Sequence, residues 1–174
     1  MIELTAIRDL VTIFGVIAGF SYYVINVRAN QKNQKLQLET RQMQLFMQIY
    51  NDINSRESLI NWAELNNLTI DYEEYLQKHD STVSPKYFAK RASLWYSYNT
   101  IGELLRLNMI EPDLLARLNV DTNVIVMYEN WEHIIKENRT RENMPDLWDG
   151  FEYLYNEMKK IRESKNYPQI TYNK

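Results

Sequence analysis

The chain has two histidines, His79 and His133. Glu129 and His133 stand four residues apart, with Glu132 beside the histidine, a spacing that places carboxylate and imidazole on one helix face. A di-iron carboxylate bundle instead uses Glu-x-x-His on two helices, with two further inward glutamates. That pattern does not occur, and His79 has no comparable acid partner. His133 is therefore expected at the surface or rim. Glu73–Glu74 and Asp146/Asp149 are the other paired acids. Acid–base catalysis needs two carboxyls whose environments separate their pKa values. These pairs fall where first helical turns are expected, and there acids simply stabilise the helix N-terminus.

Other chemistry is thinner still. G-x-S-x-G, Walker A and G-x-G-x-x-G do not occur. With no cysteine, thiol nucleophiles, thiolate zinc sites and disulfides are excluded. The net charge is −3, and the basic pairs Lys90–Arg91 and Lys159–Lys160 are diluted by acids, so no nucleic-acid partner is expected. No catalytic, cofactor or metal-binding residue is assigned, and the residues point to no enzyme reaction.

The stretch that does carry information is residues 10–27, LVTIFGVIAGFSYYVINV, eighteen residues without a formal charge between Asp9 and Arg28. At about 1.5 Å per residue such a helix covers roughly 27 Å, near the hydrocarbon thickness of a bilayer. Its apolar residues point all round the helix, which fits lipid or a core on every side. A cleaved signal peptide would need a basic start and a small-residue cleavage site. Glu3, Arg8 and Asp9 precede the run and Tyr22, Tyr23 and Arg28 close it, so a membrane anchor over residues 1–27 is expected instead.

Arg28, Lys32 and Lys35 follow the run before the first acid, Glu39. The excess of Lys and Arg stays in the cytoplasm, which places the N-terminus outside and the C-terminal domain inside a cell membrane. Tyr22 and Tyr23 would join those cations at the inner membrane interface. Gly15 and Gly19 form G-x-x-x-G, the small-residue spacing that allows close helix packing in lipid. Other transmembrane helices, in a homo-oligomer or a larger membrane complex, are thus expected partners alongside the bilayer.

Beyond the anchor, four glycines, four prolines and apolar residues at three-and-four spacing argue for an all-α chain, a bundle on a single N-terminal transmembrane helix. A polar helical connector is expected over 28–42, with nothing to break the helix leaving the span. The cytosolic domain is expected over 43–165, and an extended tail over 166–174. Ser55, Asp71 and Ser84–Pro85 read as helix starts, and Pro112 begins a short helix through Leu118. Asp121 reads as the cap of the next helix. The charged run KENRTREN (136–143) then reads as a link to a last helix starting at Pro145. Gly102, on the apolar face of its helix, suggests close approach of another helix.

Thirteen tyrosines and four tryptophans are a heavy load for one domain. Tyr and Trp join large contact area to a polar group and are enriched at interfaces. Trp95, Tyr98, Trp148, Tyr153 and Tyr155 are candidates for contact with a protein partner. Through ETRQMQLFMQIYNDINS, Trp95–Ile110 and MPDLWDGFEYLYNEMKK, the chain resembles a loosely defined set of small prokaryotic proteins. These have one N-terminal membrane helix and an all-α cytosolic domain of uncharacterised function. The resemblance covers residues 10–162 and carries fold and topology but no site residues. The expected role is a membrane-anchored interaction module, as scaffold or accessory subunit of a membrane complex. The alternative is a tethered sensor whose domain binds a small ligand, with an unrecognised enzyme site behind both.

Overall fold

The computed structural model describes residues 4–168. Glu3 and the tail from residue 169 lie outside them. Seven helices and no strand occur among the described residues: α1 (Leu4–Ile53), α2 (Arg56–Asn66), α3 (Tyr72–Lys78), α4 (Pro85–Arg106), α5 (Pro112–Arg117), α6 (Val120–Glu142) and α7 (Asp149–Ser164). Contacts divide the chain into two units, Met1–Gln42 and Met43–Lys174.

In the first unit, α1 is long and apolar enough to cross a membrane by length and composition. Among the described residues none of its apolar window is buried, and Phe14, Val16 and Phe20 are exposed. Polar residues follow without a break in the helix: Thr40 Oγ1 donates to Leu36 O at 2.8 Å, and Lys35 lies 3.8 Å from Glu39.

In the second unit, α4, α6 and α7 form the centre. The α7 helix packs on both α4 and α6, α2 touches both α4 and α6, α5 touches α6 and α7, and α3 lies on α6. Phe46 and Ile53, near the end of α1, join this core. Local chemistry sets several starts. Ser55 accepts from Ser58 N at 3.2 Å, and Asp71 accepts from Glu74 N at 2.8 Å, each satisfying a first-turn N–H left without a helical partner. Pro85 and Pro112 each sit in the first turn of their helix.

Three boundaries differ from the sequence reading. Asp121 does not cap α6. Asn119, in a left-handed conformation, precedes the helix, and Asp121 lies inside its first turn, buried and held by Arg162 Nη1 at 2.8 Å. KENRTREN is not a link but the last turns of α6. Its polar groups bind other elements: Asn138 accepts from the Tyr72 hydroxyl at 3.3 Å, Arg139 Nη1 donates to Glu152 at 2.6 Å, and Arg141 Nη1 donates to Asp80 at 3.0 Å. Pro145 does not start α7. Residues 145–148 form a turn, and the helix begins at Asp149. In that turn Trp148 has φ 63°, a strained value for a bulky side chain.

The tightest approach in the domain joins α4 to α7 at two glycines. A Cβ on Gly102 would lie 1.8 Å from the carbonyl oxygen of Gly150, and one on Gly150 would lie 2.5 Å from the Asn99 carbonyl oxygen. Backbone thus meets backbone. Gly102→Ala forces the helices apart and is expected to destabilise the domain by about 3 kcal/mol or more, the upper end of overpacking costs. Denaturant unfolding of the full chain in non-ionic detergent measures this. Gly15→Ala, where a Cβ would meet nothing within 4 Å, is the control and should leave the domain unchanged.

Candidate functional site

Helical spacing on α4 places Tyr87, Arg91 and Trp95 four residues apart on one face, with Phe88 beside them. The α3 helix supplies Tyr75, and His79 at its C-terminal end; α6 supplies Trp131. The Arg91 guanidinium carbon lies 4.7 Å from the Tyr75 ring centre, 4.9 Å from Trp95, 5.5 Å from Phe88 and 5.9 Å from Trp131. Arg91 is only 3% exposed. Tyr75, Trp95 and Trp131 are buried, and Phe88 is the half-buried ring of the four.

Ring faces attract a cation by roughly 2 kcal/mol or more when water is excluded. They do not satisfy its N–H groups as oxygen acceptors would. Arg91 Nε and Nη1 are buried without a hydrogen-bond partner, and so are the indole nitrogens of Trp95 and Trp131, the Tyr87 hydroxyl and His79 Nδ1. Each such group costs about 1–3 kcal/mol when left unpaired. The His79 ring packs at a 43° tilt against Tyr87, with ring centres 4.1 Å apart. Burial lowers the pKa of His79, opposed by Glu74 and assisted by Lys78 and Arg91. Burial also pushes the Tyr87 hydroxyl up to about 12.

The aromatic cluster continues from here. Trp95 meets Trp131 and Trp148 edge-on at 5.7 and 5.5 Å, and Phe151 stacks on Tyr98 at 5.2 Å. Trp95 and Tyr98, expected to face a partner, are 1% and 2% exposed; they are core residues. The reason is the α4–α7 approach, which closes over the face they share. Trp148, Tyr153 and Tyr155 are half-buried. Tyr96, which the sequence reading passed over, is 60% exposed and packs on Trp148 at 4.7 Å. Arg106 covers the Tyr153 ring at 4.8 Å and pairs with Asp149 at 2.7 Å. Tyr155 stacks on Tyr128 at 4.4 Å, donates to Glu129 at 3.1 Å and accepts from Lys159 at 3.0 Å.

A cleft of about 200 Å³ lies between α6 and α7, lined among others by Glu129, Lys159 and Arg162. Its cations are already engaged, Lys159 by Tyr155 and Arg162 by Asp121. His133 is at the rim as expected, its Nε2 2.9 Å from Ile70 O. In the first unit, Gly15, Gly19, Tyr22, Tyr23, Arg28, Lys32 and Lys35 are all exposed, and among the described residues a Cβ on either glycine would meet nothing within 4 Å.

Sequence reasoning missed Arg91 as an individual. In the sequence it stands out only as half of a basic pair, yet Lys90 bonds Glu64 at the surface while Arg91 turns inward. The available signal was its position in the apolar stripe, one turn from both Tyr87 and Trp95. Comparison with protein-family models finds no match, and comparisons with curated proteins and with solved structures likewise find none.

The lowered pKa of His79 has a consequence for stability. The unfolded chain takes up the proton near pH 6.5 while the folded chain still resists it. Stability from this group is therefore full above that pH and falls as the pH drops toward the lower folded value. Thermal unfolding between pH 8 and pH 5 should show this loss, and His79→Gln should flatten it.

Proposed function

We propose that the chain is a single-pass membrane protein, with residues 10–27 in the bilayer and the helical domain presented to a protein partner as scaffold or accessory subunit. The observation that carries this reading is the exposed apolar stretch of α1. Ten large apolar or aromatic side chains between Leu10 and Ile25 are each more than half exposed. In water that surface far exceeds the apolar patch a soluble monomer tolerates. A bilayer covers it, and the helix satisfies its own backbone there.

The flanks supply an orientation. Arg28, Lys32 and Lys35 lie on one face of the continuing helix, against Arg8 and Asp9 at the other end. The basic side belongs with the cytoplasm, so the N-terminus is outside and the bundle inside. Tyr22 and Tyr23, both exposed, fit the inner interface. In the domain, Tyr96, Trp148, Tyr153 and Tyr155 are the aromatics that a partner reaches, in place of the buried Trp95 and Tyr98. Gly15 and Gly19 leave room on α1 for another helix. This reading agrees with the resemblance to small prokaryotic proteins of one membrane helix and an all-α cytosolic domain.

The chain should remain in the membrane pellet after an alkaline carbonate wash and leave it only with detergent. Recovery in the carbonate supernatant would overturn the anchor. Protease added outside intact spheroplasts should spare the bundle, and permeabilisation should expose it. Phe14→Asp with Ile17→Asp should release the chain into the soluble or aggregated fraction, since each mid-span charge costs about 3 kcal/mol of insertion.

A further inference from the structure

We propose that the second unit binds a small oxyanion, a carboxylate or phosphate group, at Arg91 between α3, α4 and α6. The inference does not depend on the membrane reading. It rests on the chemistry of what stands unpaired there. Arg91 Nε and Nη1 and the indole nitrogens of Trp95 and Trp131 can only donate. All four are buried, and both indole rings lie within 6 Å of the guanidinium carbon. Among the described residues, no carboxylate forms an ion pair with Arg91, and the nearby Glu64 is engaged by Lys90.

A cation taken out of water needs a counter-charge or an acceptor for each N–H. The four rings attract the charge but leave those N–H groups without oxygen. A water molecule would accept two hydrogen bonds, yet it brings no charge. An oxyanion supplies both, and its bonds to a guanidinium are of the stronger, charge-assisted kind. Three other buried polar residues of the domain show the contrast. Asp80 receives Arg141 and Thr82, Asp121 receives Arg162, and Asn138 is bonded to Tyr72 and Tyr75. Arg91 alone among the buried charged residues lacks such a partner among the described residues. The Tyr87 hydroxyl and His79 Nδ1, also unpaired and beside Arg91, offer further contacts to a bound anion. Phe88 is the one ring of the four that is not fully buried.

The test is thermal unfolding and tryptophan fluorescence of the full chain in non-ionic detergent. Sodium acetate and sodium phosphate are titrated separately at constant ionic strength. The expected result is a saturable rise in Tm of several degrees with a matching fluorescence change. Acetate acting at the lower concentration assigns a carboxylate, and phosphate acting first assigns a phosphate group. Trp131→Phe keeps the ring and removes one donor, and it should weaken the apparent affinity roughly tenfold. Arg91→Met should abolish the response. If that variant does not fold, Arg91→Lys serves, because it keeps the charge and loses the guanidinium donors. A wild-type response absent, or equal to that of the Arg91 and Trp131 variants, would overturn the site and leave Arg91 as a cation held by ring faces alone.

Discussion

The contact between Gly102 and Gly150 is the constraint on which the domain depends. With no Cβ on either residue, the backbones of α4 and α7 meet directly. At that separation the α7 N-terminus comes under the side chain of Asn99, whose Oδ1 accepts from Phe151 N at 3.2 Å. One first-turn donor of α7 is thereby satisfied from another helix, since Trp148 provides no side-chain cap. The same closeness stacks Phe151 on Tyr98 and sets Trp148 against Trp95 and Tyr96. The strained φ of Trp148 persists because its neighbours over-determine it: Arg139 Nε holds Leu147 O at 2.8 Å and Arg106 holds Asp149.

Around this crossing the interior is more polar than its aromatic content suggests. Arginine does much of the tying. Arg139 joins α6 to the turn and to α7, Arg141 joins α6 to the loop after α3, and Arg162 joins α7 to the first turn of α6. Each spans two elements, so each fixes a relative placement that apolar packing alone leaves degenerate. Arg91 is placed as deeply as Asp121 and tied to none. Its position is set by rings from three helices.

What was legible in the sequence followed local chemistry. Ser55, Asp71, Pro85 and Pro112 mark helix starts because caps and N-terminal prolines act within one turn. Gly102 was legible as a close approach, since a glycine on an apolar helix face has few other uses. Its partner Gly150 was not, because nothing local ties the two. KENRTREN reads as a link because it is charged, whereas its arginines and Asn138 find partners far along the chain. Trp95 and Tyr98 were misplaced outward because composition counts aromatics without saying which face an approaching helix will cover. Tyr96, one residue away, points to solvent for the same geometric reason.

The scarcity of glycine hid how the helices end. Asn108, Asn119, Asn143 and Asn166 all adopt φ between 52° and 57°, the left-handed conformation usually given to glycine at a helix end. Asparagine tolerates it because its short amide bonds locally. The consequence falls on the denatured chain. Glycine at these corners would leave the unfolded ensemble freer, and restricting such positions is worth about 0.4–1 kcal/mol each where the native geometry is tolerated. By closing its corners with asparagine, the domain narrows its unfolded ensemble, against a folded-state cost at positive φ that glycine would not carry.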